Sequence, residues 1–520
     1  MRKFAKTVSA AVAAAALVLS SLAAPSAVRA EEEEKTVTLG VSTLWETFNF
    51  MATTSTPTHV VIEEIFDKLL IGNNDGSYSP RLADSWEIDG TKVTFHLNED
   101  ATWHDGVPVT AEDVVYTFQV KTNKEAGWLA GTSPYVEGTD DTGYELSEDS
   151  IAVTAVDDHT VEMTLKTERD PDLVLTSLNS FILPAHLLAD IPDTELADAD
   201  FWDAPIGSGP FKFDSQIDGE RVEYTANEDY YLGAPDFDRL VIRFMDASTL
   251  AAGLLNGEVD ITSDISLSDL DIIQESDAIT LESVTSNQFQ TLVINLEDEA
   301  FTTKVREAID AAINKQLLVD QLLKGYGEPA ITVLPSTHPY YNEEITEQTY
   351  DPEYARQLLE EEGWDFDRVL NLTVPKGNQA RERSAILIQQ NLAAVGIQTE
   401  IVTYDFATAL QNMRDNKYDL LLMGAAGTYD PAGAGAVDYF SHTTDPKFKE
   451  LGDAGKAGLS FEERKPIYDE YQLYFVQEHP LVMLYFSDRL VAYNNRISNL
   501  PISTVDYWNN KLSWTWKVEE

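Results

Sequence analysis

Cysteine is absent from all 520 residues, which excludes disulfides, thiol nucleophiles and zinc-thiolate sites together. The same absence leaves no residue to carry a lipid at a cleaved leader. Positive charge is scarce: 36 Lys and Arg stand against 89 Asp and Glu, a formal net charge of −53. Such a surface repels nucleic-acid phosphates and anionic lipid head groups, so neither is an expected partner. After the first 30 residues no apolar run approaches a membrane span, so no membrane insertion of the mature chain is expected. His-Glu-x-x-His and Gly-x-Ser-x-Gly are both missing, and the 8 His are scattered. Neither a metal-ligand pair at helical spacing nor a nucleophile elbow is present, and no metal or cofactor is expected.

What is present begins with a leader. Arg2, Lys3 and Lys6 precede an apolar stretch from Val8 to Leu22, and small residues end at Val28-Arg29-Ala30. This is the pattern of a secretory signal peptide, 1–30, cut after Ala30. The acidic mature chain is expected to be secreted across the cytoplasmic membrane, to a periplasm or cell-wall zone and without a lipid anchor. Its hydrophobic content of 43%, over about 490 residues, exceeds what one core holds, and two or three lobes follow.

Val93, Phe95 and Leu97 alternate with Lys92, Thr94 and His96, the period of a strand with one buried face. Asp105-Gly106 makes a turn, and Thr110 with Asp113 three positions on predicts a helix N-terminus ahead of Val114, Val115 and Phe118. His104-Asp105-Gly106 therefore reads as a corner between strand and helix. Short alternating segments at 151–156 and 160–165 make the region up to about 201 β-rich. Lys35 to Val41 reads as an opening strand, and Glu63 to Leu70 as a helix. Gly207-Ser208-Gly209 precedes Pro210 and a strand, where a phosphate cradle would need a helix, so it reads as a turn. The C-terminal half alternates strands and helices. A helix spans Val305 to Leu323 and ends at Gly325. Another starts at Asp351-Pro352, and a strand over 370–374, a helix over 379–395 and a strand over 397–402 follow. A helix from Asp405 then leads to the apolar run Leu420 to Met423, which suits a strand buried on both faces.

The segments Phe66-Asp-Lys-Leu-Leu-Ile-Gly72, Pro80-Arg-Leu-Ala-Asp-Ser-Trp86 and Thr102-Trp-His-Asp-Gly-Val-Pro-Val-Thr-Ala-Glu-Asp-Val-Val-Tyr116 together resemble the signature of the family 5 extracytoplasmic solute-binding proteins. Pro205-Ile-Gly-Ser-Gly-Pro-Phe-Lys-Phe213, Asn227-Glu-Asp-Tyr-Tyr-Leu-Gly233, Leu255-Asn-Gly-Glu-Val-Asp-Ile261, Val305-Arg-Glu-Ala-Ile-Asp-Ala-Ala-Ile313, and Val395-Gly-Ile397 leading to Tyr418-Asp419 extend the resemblance from about 36 to 500. It implies an α/β fold of the type II periplasmic-binding-protein kind, with two main lobes, a β-rich insert lobe and a cleft between lobes. The implied division is 35–75, 205–285 and 488–520 for the first lobe, 76–204 for the insert, and 286–487 for the α/β lobe. Strands near 288–295 and 481–486 would cross between lobes as a hinge.

The implied function is capture of short peptides for the transmembrane subunits of an ABC permease, by a monomer that is not an enzyme. A short oligosaccharide or a nickel chelate is the alternative within the family, and a secreted hydrolase the alternative of another class. By the same resemblance Asp430, beside Thr428 and Tyr429, matches the position that pairs with a peptide ammonium. Lys376 or Arg381 would take the carboxylate. Trp45, Thr54, Ser55 and Thr56 would line the opposite wall, their hydroxyls bonding a peptide main chain. A lone His442 is the nearest approach to a nickel ligand, and a structural histidine explains it as readily.

Overall fold

The computed structural model describes residues 34–53, 56–128, 133–147, 150–345, 350–426, 431, 436–503 and 510–519. Contacts divide the chain into two units, Met1–Glu34 and Lys35–Glu520; the expected leader, 1–30, lies outside the described residues.

Within Lys35–Glu520 an 11-stranded sheet forms the spine. One half is the predicted α/β alternation: Val369–Pro375 pairs in parallel with Gln398–Tyr404 and with Leu420–Ala426. The helix Gln379–Ala394 connects the first two strands, its N-terminus capped by the Asn378 side chain accepting from the Arg381 N–H. Leu420, Leu421, Leu422 and Met423 are all buried, because their strand lies between Val369–Pro375 and Ile279–Ile294 with side chains covered on both faces. The other half sets Thr36–Val41 parallel to Arg239–Phe244 and Ile261–Thr262, and extends through Arg221–Ala226 to an edge at Phe211–Ile217. Ile279–Ile294 and Leu481–Asn494 join the halves. These two long strands pair antiparallel, with the register shifting between Thr285 and Phe289, and they contain the segments expected to cross.

A separate four-stranded antiparallel sheet holds Ala83–Asp89, Lys92–Leu97, Thr160–Thr164 and Val153–Asp157 in that order. Val93, Phe95, Val161 and Met163 are fully buried on one face and share a core with Trp103, Val114, Phe118, Val174 and Leu178, as period-two alternation requires. Thr110 and Asp113 form the predicted capping box for the helix Ala111–Thr122. Asp113 also accepts from the Trp103 indole N–H at 3.3 Å and the Ala185 N–H at 2.9 Å. The corner is structural: His104 Nδ1 accepts from the Gly207 N–H at 3.2 Å, and Nε2 faces the Gly209 carbonyl at 3.0 Å. Gly207 lies so close to the chain at 64–65 that a Cβ there would sit 1.9 Å from the Ile65 carbonyl oxygen. Gly207-Ser208-Gly209 is thus a packing turn leading into Phe211–Ile217, as its sequence suggests.

Two elements differ from the sequence reading. The helix expected over Glu63 to Leu70 lies instead at Thr56–Ile62, and Leu70–Gly72 is a strand paired with Tyr78–Pro80. Glu63, Glu64 and Asp67 are buried and directed at Lys68, at Asn510 and Ser513, and at Arg81. These tertiary bonds override helical propensity. The apolar stripe from Val305 to Leu323 is two helices, Thr303–Ala312 and Lys315–Leu322. Asn314 separates them; its side chain accepts from the Leu317 N–H, and its own N–H donates to Asn391.

Candidate functional site

The buried strand Leu420–Ala426 changes character at its end: Leu420 to Met423 are covered, whereas Gly424 and Ala425 are partly exposed. Gly424 pairs with Gln290 of Ile279–Ile294, and a Cβ on it would come within 2.3 Å of Gln290 Nε2. Only a glycine lets the amide lie across the strand at this point. On its other side Gln290 pairs with Tyr485 of Leu481–Asn494.

Gln290 is aimed at a cation. Arg381, in the first turn of Gln379–Ala394, donates from Nε to Gln290 Oε1 at 2.8 Å. Its residue exposure is 7%, and burial pushes its pKa below the usual arginine range, partly offset by the neighbouring Tyr485. Tyr485 is itself buried, its hydroxyl 3.4 Å from Ser384 Oγ. Among the described residues no carboxylate pairs with Arg381. A buried guanidinium normally finds an anion, because desolvating an unpaired charge is costly. Here a neutral amide holds it and its remaining N–H groups keep their donor capacity. That arrangement can receive a carboxylate through paired hydrogen bonds.

Lys376 stands exposed just past the end of Val369–Pro375, its backbone N–H donating to the Tyr404 carbonyl. Trp45 is half-buried and packs against the core that contains Phe48, Phe50 and Phe66. Phe48 belongs to that core, edge-on to Phe213 at 5.2 Å between ring centroids. Thr56 opens the helix Thr56–Ile62. Thr54, Ser55, Thr428, Tyr429 and Asp430 lie outside the described residues. His442 adopts a left-handed backbone, φ 50°, and its Nδ1 bonds the Asn416 side chain at 2.7 Å, a structural arrangement. Sequence reasoning missed Gln290 and Tyr485. The available signal was polarity: a glutamine within a strand whose following residues, Leu292, Val293 and Ile294, are all buried.

The family description "Bacterial extracellular solute-binding proteins, family 5 Middle" matches residues 77–447. The dipeptide-binding protein of Escherichia coli (strain K12) is 28% identical over 442 residues, covering 78% of this chain and 80% of that one. Heme-binding protein A of Haemophilus influenzae is 29% identical over 386 residues, covering 70% and 69%. The ABC transporter substrate binding protein CtaP from Listeria monocytogenes superposes with a TM-score of 0.84 at 22% identity, covering 94% of this chain and all of that one. That likeness shows the fold to be the type II periplasmic-binding-protein arrangement of two main lobes, a β-rich insert and a cleft. Among the described residues no helix is long and apolar enough to cross a membrane. With the family matching most of its length, the chain belongs to the bacterial extracellular solute-binding proteins of family 5, the substrate-binding components of ABC importers.

Proposed function

We propose that this chain captures a short peptide in the cleft between its main lobes and presents it to the transmembrane subunits of an ABC permease. The observation that carries the reading is the buried Arg381 guanidinium, held by Gln290 rather than by an acid. In a cleft that closes and expels water, a peptide carboxylate is its natural partner. Asp430, with Thr428 and Tyr429, would hold the ammonium end from the loop after Leu420–Ala426. Exposed Lys376 would add positive field, and Trp45, Thr54, Ser55 and Thr56 would line the facing wall. The lobes divide at 35–75, 205–285 and 488–520, at 76–204, and at 286–487, with the two long strands as hinge.

The chain works as a binder rather than an enzyme, as a monomer in a periplasm or cell-wall zone after loss of 1–30. The named ligand of the Escherichia coli relative supports a peptide. The heme-binding relative widens the range of solutes in the family, and a short oligosaccharide or nickel chelate remains an outcome of the test.

Isothermal titration with the dipeptide Met-Leu and with its C-terminal amide tests the role of Arg381. The free acid is expected to bind at least tenfold tighter than the amide, since a charge-assisted hydrogen bond contributes about 1.5 to 3 kcal/mol. Arg381→Met should erase that preference. Gln290→Glu, which sets a competing carboxylate beside the guanidinium, should erase it too. Equal affinity for acid and amide in the parent chain would overturn the assignment.

A further inference from the structure

The insert and the α/β lobe also touch through residues outside the crossing strands, and the contact includes a buried ion pair. Asp170 ends the segment before the helix Pro171–Leu178, whose Val174, Leu175 and Leu178 belong to the core around the four-stranded sheet. Arg464 lies in the helix Phe461–Glu478, whose Tyr468, Tyr471 and Phe475 belong to a different core with Tyr340, Phe448 and Leu451. Arg464 Nη1 reaches Asp170 Oδ1 at 2.8 Å, and the two side chains are 0% and 3% exposed.

Each partner is built into its own body. Asp170 Oδ1 also accepts the Asp172 and Leu173 N–H groups, so the carboxylate caps its helix. Arg464 Nε donates to the Gly455 carbonyl at 3.0 Å, and the guanidinium stands 5.3 Å from the Tyr340 ring centroid and 5.6 Å from that of Tyr468. A Cβ at Gly455 would meet the Tyr468 ring at 2.5 Å, and one at Gly458 would meet Arg464 Cγ at 2.6 Å. Gly455, in the last turn of the helix Pro446–Ala457, and Gly458, just past its end, are what let the chain pack closely around the arginine of Phe461–Glu478. Next to the pair, Arg169 Nη1 reaches the Lys456 carbonyl at 3.4 Å while its guanidinium lies over Tyr135.

We propose that residues 169–170 of the insert and the 455–464 turn of the α/β lobe form an interlobe latch, locked by Asp170 and Arg464, that favours the closed cleft without touching the solute. The proposal rests on the lobe division given above, not on the identity of the solute. A pair of this kind is a two-state element. Closed, each charge is dry and compensated by the other; open, each is hydrated. Removing either partner loses a charge-assisted bond that only the closed form makes, so the equilibrium shifts toward open. Once one partner is gone, removing the other loses nothing more from that bond.

The absence of cysteine makes the test clean, because spin labels attach only where cysteines are introduced. Val156 in the four-stranded sheet and Ile386 on Gln379–Ala394 are 59% and 50% exposed, and Val156→Cys with Ile386→Cys reports the separation of the two bodies. Pulsed dipolar spectroscopy of the full chain without added solute should show a short-distance population in the parent. Asp170→Asn, which keeps a helix cap, and Arg464→Lys, which keeps the charge but cannot bond Gly455 and Asp170 together, should each lower that population at least fivefold. Asp170→Asn combined with Arg464→Met should stay within about twofold of Asp170→Asn alone, as two side chains acting through one bond require. A parent lacking the short distance, single variants matching the parent, or a double variant in which the two losses multiply would each overturn the latch. Loss of the latch with unchanged acid-over-amide preference would leave the peptide reading intact, and the reverse result would leave the latch intact.

Discussion

His104 shows how one residue can mark a family without meeting its ligand. With Nδ1 accepting from the Gly207 N–H, the proton of the neutral ring sits on Nε2 and is donated to the Gly209 carbonyl. A second proton would set N–H against N–H. Burial, the leading cause, pushes the pKa down to about 4. Between pH 6.5 and 4 the unfolded chain binds a proton that the folded chain refuses, so stability is present above pH 6.5 and lost as pH falls. The loss due to His104 should reach about 2 kcal/mol between pH 7 and pH 5. Urea unfolding at both pH values checks it: the stability gap between the parent and His104→Gln should shrink toward acid, and a gap constant with pH would contradict the neutral corner. The corner itself was legible, because Asp-Gly and a capping box are local signals. Gln290 and Tyr485 were not, since the reason for a polar side chain in a central strand is a partner 91 residues away.

Elements followed the sequence wherever local chemistry set their ends. Asp351-Pro352 and Asp405 start helices as expected, the aspartate side chains accepting from Tyr354 and Thr408 N–H groups, and the 151–156 and 160–165 alternations became paired strands. They departed from it where distant groups decide. The acidic run at 63–67 is drawn to Arg81, Asn510 and Ser513, contacts that no periodicity carries. The same neighbourhood imposes a strict backbone demand: Gly207 backs onto Ile65 at a distance no Cβ tolerates. Gly207→Ala should therefore cost about 3 kcal/mol, at the upper end of overpacking penalties, visible as a lower urea midpoint with unchanged slope. A neutral effect would show that the turn can move away from the 64–65 backbone.

At the scale of the molecule, a spine of strands runs through both main lobes, and two of them, Ile279–Ile294 and Leu481–Asn494, carry the connection. Arg381 is moored to the first through Gln290 and lies beside Tyr485 of the second. The proposed carboxylate site is thus mounted where the lobes would pivot, and the proposed latch is built from other elements, with Asp170 before Pro171–Leu178 and Arg464 in Phe461–Glu478. Family and fold were legible from ordered motifs spread along the chain; the latch was not, because Asp170 and Arg464 are 294 residues apart. The surplus of acidic over basic residues speaks to solubility and does not select the solute. Native mass spectrometry of the purified full chain tests the central claim most directly, since a closed cleft retains its ligand. An added mass matching a peptide of two to five residues is expected, and an added mass matching a sugar or a nickel complex would contradict it.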